Sequence, residues 1–140
     1  MEKIIVDFIE QIKLLINYLG ENNVIISLVE NGDSKDNTKK YLKDFQNYLN
    51  KKNILNKFVL ENEISDPRKE YFEELKYTRL RIEYYSKLRN KCLDFLYELQ
   101  NIDFNNTIIL FFNDIIFRYE DILIYYLLTK KIMTWFVQWI

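Results

Sequence analysis

Histidine is absent from these 140 residues. Without an imidazole there is no Ser-His or Cys-His nucleophilic pair and no histidine-ligated zinc site. Cysteine occurs once, as Cys92, so no disulfide forms within the chain and cysteine usage assigns no redox compartment. Any metal would have to be held by oxygen ligands, which points to Mg²⁺ or Mn²⁺. Alanine is missing, and glycine and proline occur only twice and once. Together with the abundance of Ile, Asn, Lys, Tyr and Phe, this follows AT-rich codons, so lysine clusters and asparagine density carry little functional weight. Neither sign of charge dominates: the formal net charge of -1 gives no general attraction to nucleic acid or anionic lipid. No apolar run reaches the roughly 20 residues of a transmembrane helix. The C-terminal stretch comes nearest, and Thr129-Lys130-Lys131 interrupts it.

What is present fits one globular domain with a real core, at 49% apolar and 29% charged residues. Residues Glu2–Leu19 place Ile5, Ile9, Ile12, Ile16 and Leu19 on one helical face, with Gly20 at the C-terminal cap. Val24–Val29 (VIISLV) reads as a strand buried on both faces and runs into Glu30-Asn31-Gly32-Asp33-Ser34, where Gly32 allows a tight turn. Ser34 or Asp36 can cap a following helix whose Tyr41, Leu42, Phe45, Tyr48 and Leu49 share a face. A short strand is expected at Phe58–Leu60 and a loop over Glu61–Pro67. A helical region then runs to about Gln100, with a buried stripe of Ile82, Tyr85, Leu88, Cys92, Phe95, Leu96 and Leu99. In that stripe Cys92 is a small core residue rather than a nucleophile. Asn101–Asn106 leads into a second apolar strand, TIILFF from Thr107, and Glu120-Asp121 opens a last helix. Helices alternating with strands predict an α/β fold with a parallel sheet and right-handed crossovers.

Two strand ends carry acids and amides: Glu30-Asn31 with Asp33, and Asn113-Asp114. In a parallel sheet both open on one edge, where ligands of α/β folds bind. Carboxylates beside phosphates repel them unless a divalent cation or cationic side chains intervene. The chain has five arginines against fifteen lysines, and three of the five are Arg79, Arg81 and Arg89. Against the lysine bias this clustering is informative, because the guanidinium fork suits phosphate or carboxylate. The plainer alternatives stand beside these readings: Asn113-Asp114 as a polar turn, and the arginines on a solvated helix face paired with Glu83. The sequon Asn105-Asn106-Thr107 abuts a buried strand and carries little weight, and the aromatic residues fall at core spacing.

Three blocks taken together resemble one family. Ser27-Leu28-Val29-Glu30-Asn31-Gly32 with Asp36-Asn37-Thr38 resembles an S-x-x-E-N/S-G-S…D-x-T segment. Residues 81–93 (RIEYYSKLRNKCL) resemble an R-I-x-Y-L-A-x-L-R-N-x-A-L helix. Residues 109–117 (ILFFNDIIF), followed by Glu120-Asp121-Ile122-Leu123, resemble an F-L-N-D-V-x-F-x-x-E-D-I-L element. The family is that of the fungal capsule-type α-1,3-mannosyltransferases, glycosyltransferase family sixty-nine, and the resemblance runs from about residue 12 to residue 128.

The resemblance implies a partial GT-A-like, Rossmann-like fold over residues 1–128, with 129–140 as a divergent apolar tail. It implies transfer of mannose from GDP-mannose to a glycan acceptor, with Mn²⁺ or Mg²⁺. In that frame Asp114 is the metal-contacting acid in place of the usual DxD motif, with Asn113 beside it. Glu30 and Asn31 lie near the nucleotide, and Arg81, Arg89 and Asn90 hold or position it. Glu120 and Asp121 match the family pattern and equally suit a helix start. No catalytic residue is assigned. Family members are typically membrane proteins of the Golgi or secretory pathway.

Ser86 and Cys92 stand where the family has alanines, and Asp33 alters the turn. The larger departure is at the ends. A GT-A fold has a first strand between those at Val24 and Thr107, and an acceptor half beyond the last helix, and the chain is expected to lack both. The expected consequences are an open sheet centre and self-association through an exposed apolar edge. The function expected is that of a truncated or inactive mannosyltransferase-like chain, the alternative being a non-catalytic α/β interaction module on the same scaffold.

Overall fold

In a computed structural model, whose described residues are 2–30, 34–60, 74–112, 116–129 and 134–139, helices and strands alternate along the chain. They are α1 (Glu2–Leu19), β1 (Val24–Val29), α2 (Thr38–Lys51), β2 (Leu55–Val59), α3 (Glu74–Glu98), β3 (Thr107–Phe112), α4 (Tyr119–Thr129) and β4 (Thr134–Trp139). The four strands form one parallel sheet in the order β2-β1-β4-β3. This is the α/β, Rossmann-like pattern expected.

Local chemistry sets several of the boundaries. Gly20 ends α1 at φ 90°, a conformation that side chains disfavour, and Asn23 Nδ2 donates to the carbonyl of Leu19 at 2.8 Å. Asn53 turns the chain out of α2 at φ 55°, a left-handed position asparagine tolerates, while Ile54 N donates back to Leu49 O at 3.0 Å. Asp103 opens the turn before β3, its side chain accepting from Asn105 N at 3.0 Å. Gln11 of α1 caps α4 from outside it, with Oε1 accepting from Tyr119 N at 2.9 Å.

All six residues of β1 are buried, because helices cover both its faces. On one face Val24, Ile26 and Leu28 pack with Ile5, Phe8, Ile9, Ile12 and Ile16 of α1 and with Leu42, Phe45 and Leu49 of α2. The same face of β3 contributes Ile108, Leu110 and Phe112, and Phe112 stacks on Phe117 at 4.4 Å and meets Phe8 edge-on at 5.7 Å. Helix α1 packs between α2 and α4. On the other face Val29 meets Tyr84, Leu88 and Cys92 of α3, and Ile25 meets Leu96. Ser27 also points that way, and its hydroxyl donates to the Cys92 carbonyl at 2.9 Å, which pairs a buried polar group at the helix-sheet contact. The steps from β1 to β2 and from β3 to β4 run in one direction along the sheet, with α2 and α4 on one face. The step from β2 to β3 runs the other way, with α3 on the opposite face, as a single crossover hand requires.

Three expectations are corrected. The sheet centre is not open: β4 lies between β1 and β3, its Trp135–Trp139 backbone in register with Ile108–Phe112 on one side and Val24–Leu28 on the other. Residues 129–140, read as a tail, therefore hold the central strand. Strand β2 begins at Leu55, not at Phe58, because pairing with Ile25 and Ile26 recruits the unpromising Leu55 and Asn56. The buried stripe of α3 is Tyr84, Leu88, Cys92 and Leu96, four residues apart, and Ile82 is 65% exposed. Two residues before Tyr84, at 100° per residue, Ile82 lies on the far side of the helix. The expected helix start at Asp66-Pro67 lies outside the described residues.

Leu88→Ala should cost about 2–5 kcal/mol by urea unfolding, while Ile82→Ala should change stability by less than about 0.5 kcal/mol. Removing residues 134–140 should abolish cooperative unfolding, since the two remaining halves of the sheet would share no ladder.

Candidate functional site

The parallel register makes Leu28, Trp139 and Phe112 level with one another at the carboxyl edge of the sheet. With strands spaced ~4.8 Å apart, the ends of β1 and β3 lie about 10 Å from each other. The chain leaves one through Glu30 and the other toward Asn113. Of the expected site residues, Asn31, Asn113 and Asp114 lie outside the described residues, while Glu30, Arg81, Arg89 and Asn90 are within them.

Glu30 is 4% exposed, and its backbone N–H donates to Val59 O at 2.8 Å, prolonging the ladder by one residue. Its Oε1 accepts from the Ser34 hydroxyl at 2.7 Å and from Ser34 N at 3.3 Å. The Lys39 ammonium lies 3.9 Å from Oε2. Burying a carboxylate is costly unless it is paired and hydrogen-bonded. Glu30 thereby ties the end of β1 to the start of α2, rather than offering a free carboxylate. Neither Ser34 nor Lys39 was marked by the sequence as a partner of Glu30. The only signal was Glu30 itself, an acid directly after a six-residue apolar strand.

The first residue of α2 adds an unusual group. Thr38 is 1% exposed, its N–H donates to Asp36 Oδ1 at 3.1 Å, and its buried hydroxyl oxygen has no hydrogen-bond partner. The N-cap position of this helix is Asn37, without a side-chain capping bond; of Ser34 and Asp36, the two residues expected as caps, Asp36 accepts from the first helical N–H. Thr38 belongs to the D-x-T element of the sequence, which was the one clue to it.

Helix α3 starts beyond the carboxyl edge, since Tyr84 and Tyr85 pack with Val29 and Val59, the last residues of β1 and β2. Arg81, nearly one turn earlier, is exposed there with its guanidinium 5.8 Å from the centre of the Tyr85 ring. Arg89 reaches across the α3 face of the sheet to lie 5.6 Å over Phe111, at the root of the segment that continues to Asn113-Asp114. The two arginines are about 12 Å apart along the helix, too far to fork one phosphate but suited to two ends of an extended ligand. Asn90 is exposed and about 100° around the helix from Arg89, so it does not share its direction. Arg79 pairs with Glu83 at 3.1 Å, which is the solvated-face arrangement.

The acids Glu120 and Asp121 occupy the first turn of α4, where the helix dipole favours them, and Glu120 Oε2 is 3.7 Å from Arg118 Nε. Among the described residues no three carboxylates or thiols converge as a metal site. A cleft of about 460 Å³ opens at the opposite edge, between the starts of β1 and β2 and the loop after α3, lined by Glu21, Asn53, Asn101 and Asp103 among others. It lies at the other end of β1 from Glu30. Beside it Glu21 accepts a hydrogen bond from Lys52 and raises the pKa of that ammonium above its ordinary value.

A family model described as Cryptococcal mannosyltransferase 1 matches residues 1–133. No curated protein and no solved structure matches the chain.

Two substitutions at the turn should separate its polar groups. Glu30→Ala leaves Ser34 and Lys39 without their buried acceptor and should cost roughly 1–3 kcal/mol. Thr38→Val removes a hydroxyl that bonds to nothing, and should leave stability unchanged or raise it by up to about 1 kcal/mol. Chemical denaturation of the two variants checks both.

Proposed function

Because the chain belongs to the Cryptococcal mannosyltransferase 1 family, we propose that the carboxyl edge of its sheet is the donor side of a mannosyltransferase site. The donor is GDP-mannose, the acceptor a glycan, and the linkage α-1,3, within a partial GT-A-like fold. The observation that supports this reading is the shared edge: parallel register levels the end of β1 with the end of β3, about 10 Å apart across β4.

Each residue has a distinct task in this proposal. Glu30 is a positioning residue, holding the turn through Ser34 and Lys39 so that Asn31 lies near the nucleotide. Arg81 and Arg89 meet the diphosphate region from two directions, and their forked donors offset its charge as it departs. Asn113 stands beside Asp114, the carboxylate proposed to hold Mn²⁺ or Mg²⁺. A single acid suffices for such an ion when the donor's phosphate oxygens supply further ligands, and an all-oxygen set is what a chain without histidine provides. When bound, the cation supplies charge neutralisation at the leaving diphosphate. Asn90, directed elsewhere on α3, is the weakest of the proposed contacts.

A second reading, a non-catalytic interaction module, draws on the large apolar side chains left exposed on β3 and α4, among them Ile109, Ile124 and Leu128.

Calorimetric titration with GDP-mannose, with and without Mn²⁺, separates the two. The donor reading expects metal-dependent binding that Asp114→Ala or Arg89→Ala weakens on the order of 10- to 100-fold, the worth of one charge-assisted contact. Arg79→Ala, which removes only the Glu83 partner, should leave it unchanged. Absence of binding, or binding indifferent to Asp114→Ala, would overturn the donor reading.

A further inference from the structure

We propose that β3 and α4 form a two-fold interface with a second copy of this chain, the two β3 strands pairing antiparallel into a continuous eight-stranded sheet. The inference is independent of the donor reading.

The two edges of the sheet differ in how they are protected. The β2 edge carries Asn56 and Lys57, and Lys57 is held by Glu98 at 2.8 Å. Charged side chains on an edge strand discourage pairing with another chain. The β3 edge is Thr107–Phe112, TIILFF, with no charge and no proline, and among the described residues β4 is its sole partner in the sheet. One side of its backbone polar groups is therefore open to another strand.

The side chains flanking that edge are apolar as well. Among the described residues only α3 covers its face of the sheet, and it packs on β1 and β4, so Ile109 and Phe111 of β3 remain 44% and 39% exposed, with the Arg89 guanidinium 5.6 Å over the Phe111 ring. On the opposite face α4 is the outermost helix on the β3 side, flanked by α1. Its Ile124, Tyr125, Leu127 and Leu128 are 57–78% exposed and fall within an arc of about 160°. Taking ~200 Å² for a fully exposed large apolar residue, these six side chains offer roughly 600–700 Å² per copy, close to the ~800 Å² per partner of a stable interface.

The strand is also complementary to itself. A two-fold axis through Leu110 sets Ile109 of one copy opposite Phe111 of the other, twice, on the α3 face. A β-branched residue beside an aromatic one is a favourable cross-strand pair, and the uncharged strand brings no like charges together. The same axis brings α4 toward its counterpart on the other face. Closed two-fold pairing removes both exposed features at once. Because the partner strand runs antiparallel, the two carboxyl edges lie at opposite ends of the joined sheet and remain open.

Sedimentation equilibrium at micromolar concentration tests this. The expected species has twice the 17.3 kDa chain mass. Ile109→Lys places an edge charge like Lys57 on β3 and should weaken the dimer by on the order of 100-fold. Leu128→Glu, at a residue 78% exposed, should weaken it without touching the core, so a folding defect in the first variant does not obscure the result. Leu55→Lys on the β2 edge should have no effect. A monomer at every concentration, a dimer insensitive to both variants, or aggregates that grow without limit would overturn the proposal. So would binding to phosphatidylcholine vesicles that Leu128→Glu abolishes while the free chain stays monomeric, since the apolar face would then serve a lipid surface.

Discussion

Backbone pairing through β4 is the constraint on which the rest of the molecule depends. Without it, β1 with β2 and β3 alone would be separate pieces, because among the described residues no other ladder joins them. With it, Leu28 and Phe112 stand level, α1 bridges α2 and α4 over one face, and Phe8 reaches Phe112 across the joined core. A parallel sheet cannot be assembled from local hairpins, so each ladder is reached by a crossover of a dozen or more residues. The central ladder is thus formed between segments more than a hundred residues apart in sequence, Val24–Leu28 and Trp135–Trp139. Long-range pairing of this kind is also slow to form, and it makes the last strand a condition for the first.

The polar groups at the carboxyl edge follow from that assembly. Glu30 is buried because it prolongs β1 between covered faces, and burial makes its charge costly unless answered. Ser34 and Lys39 answer it, one ahead of α2 and one in its first turn, so the end of β1 is tied to the start of α2. Arg89 is held differently. Its guanidinium lies over Phe111, which is partly exposed on the α3 face, so the arginine and the apolar margin of β3 share one side of the sheet.

Legibility varied with the range of the forces involved. The α1 face, the six buried residues of β1, the Leu42-Phe45-Leu49 stripe and the core position of Cys92 were readable, since hydrophobic periodicity is a local record of burial. Ile82 was misplaced because the stripe of α3 is selected by what it meets: Val29 takes Tyr84, and Ile82 is turned away. Strand β2 was shortened because its polar residues pair at an edge, where backbone hydrogen bonding, not side-chain burial, keeps Leu55 and Asn56 in register. At the carboxyl edge, Glu30 stood out by residue type, but its partners Ser34 and Lys39 did not, since surface serines and lysines carry no mark of the partner they will find.

The sequence by itself determined the alternation of helix and strand and the membership of a mannosyltransferase family. These rest on residue identity and on periods of two and 3.6, which need no knowledge of distant segments. Only the tertiary structure decided that residues 134–139 fill the centre of the sheet, that Glu30 ties the end of β1 to the start of α2, that Asn90 is directed away from Arg89, and that the unguarded apolar margin lies at β3. Each of these depends on which strand stands beside which. In a parallel sheet that choice is made by contacts between remote segments, and no local pattern records it.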